Sequence, residues 1–158
     1  MGQRQDLKII YTLGTSNRTL EEFLAILKQF GLKQVIDVRS FPQSKRFPHF
    51  AQNQLAKVLA QHQIAYHWLG PELGGFRREG YENYVKTEAF KEGLEKLLAL
   101  AQKAPSVIIC AERFPWRCHR RFISQKLAEQ GVEVRHIIEP GKVWCPKKQI
   151  RPKLMFPL

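Results

Sequence analysis

Acidic residues are scarce in this chain. Only 14 Asp and Glu stand against 26 Lys and Arg, a formal net charge of +12 over 158 residues. A field of that sign attracts polyanions and limits self-association. Long apolar runs are missing too. Met1 to Asp6 leads straight into a strand, with neither an apolar signal segment nor an acylation signal. The expectation is a cytoplasmic protein with no membrane partner. Cysteines are few and odd in number, Cys110, Cys118 and Cys145, which argues against a disulfide framework and for reduced thiols. The paired C-x2-C spacings that mark zinc sites are absent, so the sequence requires no metal and no other cofactor. Internal repeats and low-complexity segments are lacking as well. The length suits one domain, able to bury roughly 70% of its unfolded surface without covalent help.

What is present alternates between two periods. Lys8 to Leu13 reads as a strand ending at Gly14. Thr19-Leu20-Glu21-Glu22 is a capping box, and Leu20, Phe23, Leu24 and Leu27 follow at helical spacing up to Gly31. Gln34 to Arg39 is apolar on both faces, as a parallel strand covered by helices should be. A short helix through Leu55 and Leu59, a strand from Ile64 to Leu69 and a long glycine-bearing loop from Gly70 to Gly80 come next. Thr87 caps a helix with Phe90, Leu94, Leu97 and Leu98 on one side. The most apolar strand, Ser106 to Cys110, precedes a helix from about Arg117 to Gln130 and a last strand from Val132 to Ile138. This alternation predicts a three-layer α/β domain over residues 1–141, with a mostly parallel sheet of about five strands. Residues 142–158, basic and proline-containing, are expected as a tail packed on the domain or extending from it.

Ligands of open α/β sheets sit beyond the carboxyl ends of the strands, and the basic residues gather in those loops. Arg18 follows the first strand, Arg39, Lys45 and Arg46 the second, Arg77 and Arg78 the third, Arg113, Arg117, Arg120 and Arg121 the fourth, and Lys147 and Lys148 lie in the tail. Arginine grips phosphate or carboxylate bidentately and stacks on bases. Asn17, Arg18, Arg39, Arg120 and Arg121 are therefore candidates for an anion site, and Lys45, Arg46, Arg77, Arg78, Lys147 and Lys148 for contact with DNA, RNA or a nucleotide. Interleaved aromatics, among them Phe41, Phe76, Trp116 and Trp144, would suit single-stranded nucleic acid. Solvated loop arginines and core-capping aromatics are the plainer account of the same residues.

The densest chemistry lies in Cys110-Ala111-Glu112-Arg113-Phe114-Pro115-Trp116-Arg117-Cys118-His119-Arg120-Arg121. Cys118 falls near a helix start, where exposed amides and neighbouring arginines favour a thiolate. His119 and Glu112 can move protons, and Asp37, placed in an apolar strand, needs a partner or a catalytic reason. Three readings stand side by side. Phosphate could be held by the helix start and arginines while Glu112, Asp37 and His119 do acid–base chemistry. Cys118 or Cys110 could be a nucleophile or sulfur carrier. The segment could also be structural, with Cys110 a buried small hydrophobe and Glu112 paired to an arginine. A non-catalytic nucleic-acid-binding module is a further alternative, and the oligomeric state is left open.

Four segments together carry a resemblance: Thr12-Leu13-Gly14-Thr15-Ser16-Asn17-Arg18, Asp37-Val38-Arg39-Ser40-Phe41-Pro42, Pro71-Glu72-Leu73-Gly74-Gly75, and Cys110-Ala111-Glu112 with Cys118-His119-Arg120. In this order they resemble the prokaryotic family known as domain of unknown function 488. The resemblance implies that these motifs belong to one unit and implies no particular reaction. Thr15 departs from the family's usual histidine, so no role of that residue carries over. A weaker likeness is to rhodanese-type sulfurtransferases, since Asp37-Val38-Arg39 ends an early strand and Cys110 a later one. Against it, Pro115 lacks an N–H, Glu112 would repel an anion, and the loop after Cys110 has no glycine to form a cradle of amides.

Overall fold

The computed structural model of the chain describes residues 8–145. Apolar β-branched runs form β1 (Ile9–Gly14), β2 (Gln34–Asp37), β3 (Ala65–Trp68), β4 (Ser106–Cys110) and β5 (Glu133–Glu139). All five are parallel. A sixth strand, β6 (Lys142–Trp144), pairs antiparallel with β5, and the order across the sheet is β3-β2-β4-β1-β5-β6. The domain is thus the single α/β unit expected. The sheet, however, takes one strand more than the sequence announced, from the first residues of the segment assigned to the tail. Three residues are too short for a periodic signal, and it is the turn at Gly141, with φ 77°, that folds them back.

Helix α1 (Leu20–Gln29) begins as the capping box predicts, with the Thr19 hydroxyl accepting the Glu22 amide at 3.0 Å. Helix α2 spans Gln52–Gln61. The glycine-bearing stretch expected as irregular opens with a single-turn helix, α3 (Gly70–Leu73), and a second, α4 (Tyr81–Tyr84), follows it directly. Helix α5 (Glu88–Ala101) is capped by Thr87. Helix α6 (Arg120–Glu129) starts later than its sequence pattern suggests, because Pro115–Arg117 form a separate 3-10 turn. No helix of the described residues is long and apolar enough to cross a membrane.

The two-residue period of the strands sorts the core onto two faces. Val35, Leu13, Val107 and Ile109 pack with Phe23, Ile26, Leu27, Leu55 and Leu59 of α1 and α2. Ile10, Ile36, Ile108 and Cys110 pack with Phe90, Leu94 and Leu97 of α5 and with Ile123 and Leu127 of α6. Full burial of a Val, Leu, Ile or Phe side chain of this kind stabilises a fold by roughly 1.5–3 kcal/mol. The chain leaves β1 and β2 toward one face and β4, which lies between them, toward the other. Their loops part at the carboxyl ends of the strands and leave a crevice, the usual ligand position of open parallel sheets.

Candidate active site at the strand ends

The crevice is a cleft of about 680 Å³ walled by the three loops that part there. Thr15, Ser16 and Asn17 come from the loop after β1. Arg39 to Phe41, Gln43, Ser44, Arg46 and Phe47 come from the loop after β2. Cys110, Ala111, Glu112, Cys118 and His119 come from the segment between β4 and α6, and Gly75 and Phe76 close the last side. The loops are locked in register: Thr15 N–H donates to Cys110 O at 2.8 Å, Ser16 N–H to Ala111 O at 2.9 Å, and Val38 N–H to Ile109 O at 3.0 Å. Close approach requires glycine at two points. A Cβ on Gly14 would collide with the Glu112 carbonyl, and one on Gly75 with the His119 ring. Ser16 takes a left-handed φ of 47° on the cleft wall, a conformation that non-glycine residues adopt at some cost.

At the floor Cys110 Sγ and Cys118 Sγ stand 3.3 Å apart. Cys110 is buried at the end of β4, whereas Cys118 is half-buried just before α6. Its sulfur accepts the Arg120 backbone N–H at 3.3 Å, which uses one of the amides left free at the helix start. Cys118 is held well below the ordinary thiol range. The hydrogen bond from the Cys110 thiol contributes most, burial opposes it, and His119 and Arg120 add to it. Cys110 is pushed upward, first by burial and then by holding its proton toward Cys118. Both shifts run the same way: they favour the proton on Cys110 and negative charge on Cys118.

Arg120 explains why a negative charge belongs there. Its side chain is 0% exposed. The guanidinium donates to Thr12 Oγ1 at 2.9 Å, Glu112 O at 2.8 Å and Arg113 O at 3.1 Å, while Nε has no partner among the described residues. None of the ion pairs among the described residues includes Arg120. Burying a cation without a counter-charge is expensive. Cys118, whose sulfur accepts the Arg120 backbone N–H, is the neighbouring group able to supply one. Beneath, the Thr12 hydroxyl, accepting from Arg120, lies 2.6 Å from His136 Nδ1. Burial, with the Arg120 charge adding, lowers His136 to about 3 and keeps it neutral.

His119 Nε2 lies 3.0 Å from the Val38 carbonyl, which can only accept, so Nε2 carries a proton. The other ring nitrogen, Nδ1, lies on the side packed against Gly75. Glu112 is exposed on the cleft rim. Phe41 and Phe76, 71% and 77% exposed, face each other at 5.4 Å across the mouth.

Of the residues singled out in the sequence, Cys110, Cys118, His119, Glu112, Asn17, Arg39, Arg46, Phe41 and Phe76 line the cleft. The others lie elsewhere. Asp37 is fully buried on the α1/α2 face, bound bidentately by Arg39 at 2.9 and 2.8 Å and by the Tyr66 hydroxyl at 2.5 Å. Register decides this: Asp37 is the partner of Ile109 and shares its face, so Cys110, one residue on, points the other way. The third guanidinium nitrogen of Arg39 donates to Phe50 O. Arg18 is buried and bound to Gly14 O, Ile138 O and Glu22. Arg77 stacks on Tyr84 at 3.8 Å and donates to Gly74 O and Pro71 O. Arg121 stacks on Phe122, and Lys45 and Arg78 are exposed away from the cleft lining. Lys147 and Lys148 lie outside the described residues. Among the described residues, no three His, Cys, Asp or Glu are grouped to hold a metal ion.

Sequence reasoning did not bring Cys110 and Cys118 together. Their seven-residue separation matches no metal or redox spacing, and only the fold-back of the turn over Pro115–Arg117 joins them. Nor did it separate buried from exposed arginines. The one usable signal was position, since Arg18 and Arg39 stand within four residues of Glu22 and Asp37.

A family model described as Domain of unknown function DUF488 matches residues 19–127, which span both cysteines, the Asp37–Arg39 pair and α1 to most of α6. No curated protein matches the chain.

Proposed function

We propose that this chain, which belongs to the DUF488 family, is a cysteine-dependent enzyme in which Cys118 attacks an electrophilic substrate in the strand-end cleft. The observation that carries the reading is the Cys118 sulfur, 3.3 Å from both the Cys110 thiol and the Arg120 amide and open to the cleft. Cys110 and Arg120 hold the thiolate. His119 Nδ1 and the Glu112 carboxylate are the groups able to take or return a proton as a leaving group departs. Phe41 and Phe76, packed on each other, offer an exposed apolar surface, and Arg46 one exposed positive charge, so the substrate suited to the cleft has an apolar part and an anionic part.

The test is the pH profile of alkylation, not its speed, because a thiolate of low basicity is also a weaker nucleophile. Iodoacetamide should label Cys118 at a rate that stays flat from about pH 5 to 8, whereas an ordinary thiol loses tenfold per pH unit below about 8.5. A profile that falls in the ordinary way would overturn the assignment. Cys145→Ser removes the exposed background thiol without touching the cleft.

A second reading keeps the anion site for a phosphate-bearing ligand, a nucleotide or nucleic acid. It is supported by Arg46, Asn17, Ser16 and Thr15 in the lining of one cleft, and by Arg120 buried beneath without a carboxylate partner among the described residues. It predicts salt-sensitive binding of single-stranded DNA or RNA that Arg46→Ala weakens. Under this reading Glu112→Gln ends turnover while binding persists. Binding with no turnover in any variant would leave a non-catalytic module.

A further inference from the structure

We infer that Cys118 and Cys110 form a dithiol–disulfide couple, in which Cys118 takes an oxygen atom from a hydroperoxide and Cys110 resolves the product into an intrachain disulfide. The inference rests on the reading of Cys118 as the cleft nucleophile and adds a second activity to that site, with a second cysteine in a role of its own. Three observations carry it. The two sulfurs already stand 3.3 Å apart, so bonding, at about 2.05 Å, needs an approach of only about 1.3 Å. The two thiols differ in exposure: both line the cleft, but Cys118 is half-buried whereas Cys110 is only 2% exposed. Their mountings differ as well. Cys110 is fixed on the central strand by the Thr15 amide at 2.8 Å, whereas Cys118 follows a single 3-10 turn that can give by the needed distance.

In the first step the Cys118 thiolate attacks the terminal oxygen of the hydroperoxide. A sulfur–oxygen bond forms, the O–O bond breaks, and the alkoxide or hydroxide leaves and takes a proton from solvent. Sulfur is oxidised to the sulfenic acid and the peroxide is reduced to an alcohol or water. That step also removes the negative charge that held the Cys110 proton in place, while Arg120 stays beside it, bound to the same Glu112 carbonyl that lies 3.6 Å from Cys110 Sγ. In the second step Cys110 sulfur attacks Cys118 sulfur. The S–S bond forms, the S–O bond breaks, and the hydroxyl departs with the Cys110 proton as water. Two equivalents of an external thiol return the pair to its reduced form by successive exchange, through a mixed disulfide, and leave as the external disulfide. Cys145 takes no part: it follows β6, with its sulfur 3.5 Å from Val134 O.

The experiment is equimolar hydrogen peroxide on the full chain carrying Cys145→Ser, read by intact mass and peptide mapping with dimedone present. The expected result is loss of two hydrogens, a linked Cys110–Cys118 peptide and no dimedone adduct. Adding Cys110→Ser should convert the product to a dimedone adduct on Cys118, and adding Cys118→Ser should leave Cys110 unmodified. A lasting dimedone adduct on Cys118 with Cys110 present would overturn the resolving role and leave the nucleophile standing. A flat alkylation profile with no peroxide oxidation would overturn the couple alone. An ordinary profile with no oxidation would overturn both.

Discussion

Two buried arginines stand at neighbouring strand ends, and they are finished differently. Arg39, on the α1/α2 face, meets Asp37 through two nitrogens and Phe50 O through a third, with Tyr66 closing the carboxylate. Arg120, on the α5/α6 face, meets a hydroxyl, two carbonyls and no carboxylate. The first unit is neutral and complete. The second is short of one negative charge, and the group beside it that can supply one is a thiol opening into the cleft. Where a fold leaves a buried cation unmatched, an ionisable nucleophile nearby is drawn into its reactive form.

Breaking the complete pair should have the largest effect. Asp37→Asn leaves Arg39 buried without its counter-charge and is expected to cost about 3–5 kcal/mol, seen as a lowered denaturant midpoint. A loss below about 1 kcal/mol would mean that the pair is not closed as described. Arg120→Leu should cost less, about 1–3 kcal/mol, through hydrogen-bonding groups left unpaired. Its signature is chemical: the flat alkylation profile of Cys118 should gain a rising limb toward alkaline pH. If the profile is unchanged, Arg120 does not hold the thiolate.

The buried His136 sharpens the contrast through pH. Its folded value is depressed to about 3, so the unfolded chain binds the extra proton. The stability it contributes is present above the ordinary histidine value of about 6.5 and is lost as pH falls toward 3, at about 1.4 kcal/mol per pH unit at most. His136→Gln should flatten that part of the stability profile, measured by urea unfolding between about pH 4 and 7. The smallest effect tests insulation of the closed side. Thr19→Ala removes the cap of α1 and should cost about 1 kcal/mol, while the Cys118 profile stays as it was.

The succession of elements was legible because it rests on local signals: two threonine caps, apolar runs on strands covered from both sides, and glycines at helix ends. The location of the site at the strand ends followed from the same alternation. The partition of charge within it did not. Arg18, Arg39 and Arg120 look alike in a loop tally, yet burial depends on which carbonyls lie overhead, such as Ile138 O for Arg18, which is 120 residues away in sequence. Asp37 and Cys110 both end strands, and only the register of β2 on β4 shows that they face opposite layers. Short elements escaped for lack of length, β6 with three residues and α3 and α4 with four each.

Strand β4 is hydrogen-bonded along both edges, to β2 and to β1. Its amides should exchange with solvent only when the whole domain opens. Cys110 is mounted on that strand and Cys118 follows the turn before α6, with the two sulfurs 3.3 Å apart, so sulfur and backbone report on different events. Labelling of Cys118 counts encounters with the native cleft, while exchange of the β4 amides counts openings of the whole domain, and one molecule carries both clocks.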